Sequence, residues 1–389
     1  MEGSYITFEN FKIEEGKIDF ECNDKVNGRE RSFKLYFHFN KPILPSNDAI
    51  VCALSTLFRR NYSKIYINLR MSSRILKNIE NSNKVEITCN GITRNQRETR
   101  NGYSLNFSGG FDSLACIYLL PEDTKLMSVD YDSKAINGRE YEFFSLFNEV
   151  NIVKTNVRKF FRVSSLMNSI SSLLYSNTHG IKTQFSGNVL CSGPNGFMKM
   201  DKEVAKVRAP NGIEHIQLTY GLTQVATTII ACHYAPEYIS KSLDSCADVG
   251  SEKYYRKQLL VRLASQKLGK NIKIDSDKPQ EKILSWGDIN VGVDFIGIYF
   301  LKKFGIDFIN ATHMVNIPNE IIEITNTLSL SFYERYNTNR LYEIPKDIRG
   351  YFLSRLSDAG IIPYTEKDWK EFRIIANCLA KYYPGIYPS

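Results

Sequence analysis

Residues 101–190 alternate between strand-like and helix-like segments, and this alternation restricts the fold more than any other feature of the chain. The strand-like segments are apolar and rich in Val, Ile, Phe and Tyr: YSLNF, KLMSVDY, NIVKTNV and IKTQFSGNVL. Helix-like segments lie between them: DSLACIYLL, REYEFFSLFNEV and FRVSSLMNSISSLLYSN. Parallel neighbours need such crossover helices, so the pattern predicts an α/β fold, a parallel sheet with helices on both faces.

Different patterns flank this region on both sides. Residues 1–100 contain aromatic-rich alternating segments and two helical ones, which predict an N-terminal α+β accessory domain. The polar run TRNQRETRN, residues 93–101, lies at the end of this part and predicts a linker. From IQLTYGLTQVATTIIACHYA onward the pattern is mostly helical. We therefore predict three parts: the accessory domain at 1–100, an α/β core at 101–215, and a helical C-terminal region at 216–389 that completes the site of the core.

Charge and cysteine content limit the class of protein. The net charge of +8 suits an anionic partner such as a nucleotide or RNA, but an excess of surface lysine explains it equally well. The eight cysteines include no C-x-x-C pair, which favours reduced thiols in a cytosolic protein. The chain has neither a signal-like N-terminus nor an uncharged apolar run of about 18 residues. We expect a cytoplasmic protein without a membrane partner; a homo-oligomer stays open.

Two adjacent glycines follow the first strand of the core, in the stretch SLNFSGGFDS. Gly109 and Gly110 allow a ligand to approach the backbone closely, at the start of a helix whose N–H groups and dipole suit a phosphate. Ser108 and Ser113 supply hydroxyl donors, and Asp112 supplies the carboxylate that Mg²⁺ prefers beside phosphate oxygens. An ordinary strand-to-helix turn needs one glycine. The stretch therefore predicts a pyrophosphate cradle.

SGGFDS resembles the PP-loop, S-G-G-x-D-S, of the N-type ATP pyrophosphatases. This superfamily includes asparagine synthetases, tRNA lysidine synthetase, tRNA thiolation enzymes and 7-cyano-7-deazaguanine synthase. The resemblance implies a HUP-like nucleotide-binding core that cleaves ATP between its α and β phosphates, adenylates a substrate oxygen and releases PPi. It also implies nucleotide contacts from one set of residues: Ser108, Gly109, Gly110, Phe111 and Ser113. Asp112 would bind Mg²⁺ and take part in catalysis.

Two further stretches carry the resemblance. Val129, Asp130 and Tyr131 end the second strand in SVDY, which looks like the SFDYGQ stretch of 7-cyano-7-deazaguanine synthases and implies contacts with adenine. Ordinary strand core explains Val129 and Tyr131 equally well. Gly187 and Asn188 follow the fourth strand and resemble the G-x-N region that closes the nucleotide site; a plain turn is the alternative.

The C-terminal region departs from the 7-cyano-7-deazaguanine synthases. Those enzymes carry a four-cysteine zinc cluster, and the corresponding stretch here, residues 242–263, keeps only Cys246. Lys253, Tyr254 and Tyr255 stand where cysteines would be expected, so we predict no structural zinc.

The same stretch is basic, with Lys253, Arg256 and Lys257 close together. We predict that Lys253 and Arg256 are catalytic and stabilise the charge of the leaving pyrophosphate. A solvated basic helix face is the alternative.

The resemblance implies an AMP- and PPi-forming ligase that uses ATP and Mg²⁺, resembles 7-cyano-7-deazaguanine synthase and joins a nitrogen nucleophile to an adenylated substrate. Two alternatives stay open: a tRNA-modifying enzyme of the lysidine or thiolation type, and a nucleotide-binding module without turnover. The acceptor is a small molecule, a protein or an RNA. Glu2 stands where an N-terminal glutaminase would have cysteine, so a nitrogen nucleophile would come from free ammonia, a substrate amine or a partner protein.

Overall fold

The computed structural model of this chain describes residues 3–58, 62–94, 100–132, 139–162, 164–191, 207–274 and 280–383. The chain forms two compact units, each discontinuous in sequence. The first, here the sheet unit, comprises Met1–Ser108, Asp123–Phe185 and Lys206–Ile216. The second, here the helical unit, comprises Gly109–Glu122, Ser186–Ala205 and Gln217–Ser389. This division groups the residues differently from the three consecutive parts predicted above.

The strands are β1 (Tyr5–Glu14), β2 (Lys17–Val26), β3 (Arg29–Phe39), β4 (Lys64–Ile67), β5 (Met71–Ser72), β6 (Glu86–Cys89), β7 (Ile92–Thr93), β8 (Gly102–Asn106), β9 (Lys125–Tyr131), β10 (Asn151–Thr155), β11 (Ile181–Ser186), β12 (Val207–Arg208), β13 (Glu214–Gln217), β14 (Leu284–Ser285) and β15 (Met314–Val315). Within the described residues, eleven of them form one sheet in the order β12-β13-β11-β8-β9-β10-β3-β2-β1-β4-β6.

The α-helices are α1 (Asn47–Leu54), α2 (Ser73–Asn83), α3 (Phe111–Leu119), α4 (Arg139–Phe144), α5 (Ile170–Leu174), α6 (Gln224–Tyr234), α7 (Ile239–Cys246), α8 (Glu252–Leu268), α9 (Val291–Phe304), α10 (Ile306–Thr312), α11 (Asn319–Thr327), α12 (Lys346–Asp358) and α13 (Glu366–Ala380). None of the helices in the described part of the chain is long and apolar enough to cross a membrane.

The four strands predicted for the core lie side by side and run parallel, in the order β11-β8-β9-β10. Counted along the chain, this order is fourth, first, second, third. The direction of winding therefore reverses between β8 and β11, as it does at the switch point of doubly wound α/β sheets. The prediction of an α/β fold with a parallel sheet section, accompanying helices and a helical C-terminal region is confirmed. The HUP-like character of the core stays a prediction.

The N-terminal strands continue the same sheet. β3 pairs antiparallel with β10, with Val153 opposite Phe39, and β1, β2 and β3 form two successive hairpins. Asn27 and Gly28 both have positive φ, the conformation that a two-residue hairpin turn requires. The whole sheet is thus mixed, and its parallel core is one section of it.

One apolar cluster joins the two sections of the sheet. Phe8, Phe20 and Phe37 from the N-terminal strands share it with Val153 of β10 and Tyr175 beside α5, and all five side chains are buried. The first hundred residues therefore share a core with the strands that follow.

Two helix predictions need correction. The segment that begins IQLTYG is not helical at its start: β13 ends at Gln217, and α6 begins only at Gln224, because the Thr223 hydroxyl accepts from the backbone N–H groups of Val225 and Ala226. The serine-rich segment before Ile181 contains a 3₁₀ turn and only the short α5. Its Ser171 hydroxyl donates to the Asn151 carbonyl of β10, and serine favours a helix less than alanine or leucine does.

Phe37→Ala should lower the free energy of unfolding by about 3–5 kcal/mol, because Phe37 is fully buried in the cluster shared by both sections. Leu44→Ala, at a side chain 65% exposed, is the matched control and should change it by less than about 0.5 kcal/mol. Urea unfolding followed by circular dichroism measures both. Equal effects of the two substitutions would contradict the shared core.

Candidate functional site

The glycine pair forms a sharp turn into α3. Gly109 has φ of 77°, which favours glycine, and Gly110 is the N-cap residue of α3. The Ser242 hydroxyl of α7 donates to the Gly109 carbonyl at 2.5 Å. The Ser113 hydroxyl donates to the Gly110 carbonyl at 2.9 Å. Two hydroxyl groups of the helical unit therefore hold the turn. Ser108 is exposed and is the last residue of the first segment of the sheet unit.

Gly187 packs directly against this turn. A Cβ on Gly187 would lie 2.9 Å from the Asp112 carbonyl carbon and 2.9 Å from the Ser113 nitrogen, so only glycine fits. Asn188 is exposed, and its carbonyl accepts from the Thr219 hydroxyl at 3.0 Å. The segments that follow β8 and β11 thus meet, although about 75 residues separate them in sequence.

The start of α3 has room for a ligand. A Cβ on Gly110 would have no neighbour within 4 Å among the described atoms. The first N–H groups of a helix lack partners within the helix, and a glycine N-cap has no side chain to accept from them. Open space beside backbone donors at the positive end of a nine-residue helix is the chemistry that binds phosphate.

Asp112 lies in the first turn of α3 and is half-buried. Its Oδ1 accepts a hydrogen bond from the Thr227 hydroxyl of α6 at 2.5 Å. The described residues include no group of three His, Cys, Asp or Glu side chains that could hold a metal ion. A single carboxylate fits Mg²⁺ that also takes phosphate oxygens and water as ligands, the usual arrangement at nucleotide sites.

Lys257 of α8 is a basic side chain close to the turn. Its Nζ lies 4.2 Å from the centre of the Phe111 ring, and both residues are buried. Burial lowers the pKa of Lys257, and the nearby Cys246 and Asp112 oppose that shift. The described residues therefore hold a buried lysine beside the glycine turn and the candidate metal carboxylate.

The two lysine and arginine residues predicted as catalytic have other contacts. Lys253 is exposed, and its Nζ donates to the Cys246 carbonyl at 2.6 Å. Arg256 is buried, donates from Nε to Glu252 at 2.6 Å and bonds to Gln224. Their catalytic roles stay predictions.

Thr227 and Ser242 were not among the predicted site residues, and Lys257 was predicted only as a member of the basic cluster, not as a catalytic residue. The hydroxyl residues lie in segments without a motif, so the sequence offered no signal for them. Lys257 did offer one: its helical neighbours at i−3 and i+4 are the apolar Tyr254 and Val261, which places it on a buried face.

The predicted adenine contacts lie at the end of β9, in the sheet unit. Val129 is buried opposite Val153, and Tyr131 is buried with its hydroxyl 3.2 Å from Asn168 Oδ1. Asp130 is half-buried; burial raises its pKa, and Lys154, directly opposite on β10, opposes that shift. Val129, Asp130 and Tyr131 lie at the end of a strand, as predicted. Their contact with adenine stays a prediction.

Cys246 is half-buried, and its thiol lies 3.5 Å from the Leu243 carbonyl. Tyr254 donates its hydroxyl to Asp244, and Tyr255 packs near His313. All eight cysteines are free thiols. Whether the protein holds zinc stays a prediction.

No protein-family model, no curated protein and no solved structure matches this chain.

Gly187→Ala should lower the free energy of unfolding by about 3 kcal/mol, because its Cβ would press on backbone atoms that cannot rotate away. Gly110→Ala is the matched control: its φ is −81° and its Cβ would meet open space, so the loss should stay below about 1 kcal/mol, the cost of alanine at an N-cap. Chemical unfolding of both variants measures the difference. Similar losses would show that the two segments do not meet as described.

Lys257→Met should raise the free energy of unfolding at neutral pH, because a buried ammonium is replaced by an apolar side chain of similar length. The pKa of Lys257 is lower in the folded protein than its ordinary value of 10.5, which applies to the unfolded chain. At pH values between the folded and unfolded pKa, the unfolded chain binds more protons than the folded protein. Wild-type stability therefore rises with pH in this range. The advantage of the variant should therefore shrink as pH rises toward 10.5.

Urea titrations at a series of pH values test this, with Lys253→Met, at an exposed lysine, as the control that should show no such trend. An advantage that grows with pH would contradict the burial of the charge.

Proposed function

We propose that the chain is an ATP-dependent ligase that forms AMP and PPi. It binds ATP with Mg²⁺ at the Gly109–Ser113 turn, adenylates a substrate oxygen and joins a nitrogen nucleophile to the activated substrate. The observation that carries the proposal is the open glycine turn at the start of α3, with Asp112 in the first helical turn and Lys257 buried beside it. The resemblance of SGGFDS to the PP-loop of ATP pyrophosphatases supports the same reading.

The phosphates of ATP would lie against the backbone donors at the start of α3, where Gly110 leaves room for them. Asp112 would hold Mg²⁺, which when bound supplies positive charge to the phosphate oxygens. The Thr227 hydroxyl donates to Oδ1 of Asp112 and so fixes the direction of the carboxylate. The ammonium of Lys257 would stabilise the negative charge that grows on the leaving pyrophosphate.

Adenylation balances as a displacement at the α-phosphorus: the acceptor oxygen forms the new bond, and the bond to the β-phosphate oxygen breaks and releases PPi. The nitrogen nucleophile then forms the C–N bond and AMP leaves. The acceptor is a small molecule, a protein or an RNA, and it distinguishes a 7-cyano-7-deazaguanine synthase-like enzyme from a tRNA-modifying one.

Asp112→Ala should lower the rate of ATP cleavage by at least about 100-fold, because the metal carboxylate is lost. The assay incubates the protein with ATP, Mg²⁺, ammonium and an extract of metabolites and small RNA, and separates AMP with PPi from ADP with phosphate. Asp347→Ala, an exposed aspartate in the first turn of α12, is the matched control and should leave the rate unchanged.

AMP and PPi that disappear only in the Asp112 variant support the ligase. ADP and phosphate that disappear in the same variant would overturn it. ATP binding without cleavage, with every acceptor fraction, would replace the ligase by a nucleotide-binding module.

A further inference from the structure

A basic pocket lies in the sheet unit, among residues that the proposed ATP chemistry does not use. It has a volume of about 240 Å³, enough for about eight water molecules. Among the described residues, four arginines and one aspartate are its charged lining residues: Arg70, Arg74, Arg94, Arg100 and Asp48. The guanidinium of arginine stays charged at all physiological pH values, so the described lining is strongly positive.

The aspartate is already engaged. Oδ1 of Asp48 accepts from the backbone N–H of Ser72 at 2.8 Å, a bond that joins the start of α1 to the start of α2. Arg70 and Arg94 add two guanidinium groups at exposed positions of the described lining. The described pocket is therefore suited to an anion.

Arg100 is half-buried, and two hydrogen bonds fix the position of its guanidinium group. Its Nη1 donates to the Asn211 carbonyl at 3.2 Å, and its Nη2 donates to Asn177 Oδ1 at 3.0 Å. Arg70 and Arg94 are exposed at the rim. A planar guanidinium fixed by neighbours loses little freedom when it binds an oxyanion, which favours bidentate recognition of phosphate.

Asn211 gives an independent sign of a ligand. Its side chain lines the pocket and is only 5% exposed. Oδ1 accepts from the backbone N–H of Ile213 at 3.3 Å, whereas Nδ2 has no hydrogen-bond partner in the described part of the chain. A buried donor without a partner is unfavourable, and an oxygen of a bound anion would satisfy it.

We propose that this pocket binds a phosphate group, with Nδ2 of Asn211 as an inner donor and the arginines around it. The pocket lies at the start of α1, whose N-cap Ser46 also lines it, so the helix dipole adds to the positive field. The phosphate belongs to a small phosphomonoester or to an RNA backbone. This site is independent of the proposed ATP chemistry.

The test measures how fast phenylglyoxal modifies individual arginines of the full-length protein, read by mass spectrometry of peptides. Inorganic phosphate at about ten times its dissociation constant should slow modification of Arg70 and Arg94 about tenfold, and leave the exposed Arg29 unchanged as the matched control. Glycerol 3-phosphate and an oligouridylate without terminal phosphate form the two further arms. Protection by glycerol 3-phosphate alone would identify the ligand as a phosphomonoester. Protection by the oligouridylate would identify it as an RNA backbone.

Asn211→Asp should abolish the protection, because it replaces the inner donor by a negative oxygen of the same shape, and circular dichroism checks that the variant folds. Arg74→Gln, at an exposed position, should weaken protection at least threefold even where Asn211→Asp fails to fold. Protection that is equal at Arg29, or absent everywhere, would overturn the proposal. Asp112→Ala should leave the protection intact, so failure of the ATP proposal and failure of this one are distinguishable.

Discussion

The backbone of the candidate site depends on the close approach of Gly187 to the first turn of α3. A Cβ at Gly187 would stand 2.9 Å from two backbone atoms, so the approach exists only because this residue has no side chain. The positive φ of Gly109 lets the chain turn sharply into α3. Together the two glycines fix the path of the backbone at the candidate phosphate site, and the side chains of Asp112 and Phe111 take their directions from that path.

The positions of the core strands were predictable from the sequence. Which strands pair with each other in the sheet was only partly predictable. Alternating apolar residues identify a strand and its buried face, and the crossover helices imply that β8 to β11 run parallel. Nothing in that pattern says that β3 bonds to β10, because an antiparallel edge partner is chosen by long-range packing. Phe37 and Val153, more than 100 residues apart, share a core for the same reason.

The candidate site shows the same limit. The glycines and Asp112 are consecutive, so a local motif was enough to single them out. Thr227, Ser242 and Lys257 come from helices that begin more than 100 residues later, and only the fold brings them to the turn. A basic cluster on α8 was visible in the sequence, but choosing among its three members required knowing which face of α8 is buried.

The burial of Lys257 has a physical consequence for what this site binds. Burial lowers its pKa, so the folded protein holds its ammonium at a cost, and the Phe111 ring and the Asp112 charge offset only part of that cost. Selection tolerates such a cost where function needs the charge. An anion at the start of α3 would give the ammonium a second opposite charge and would accept from the helix N–H groups at the same time. Under the proposed function, a bound polyanion would both pair with the ammonium of Lys257 and fill the open space at Gly110.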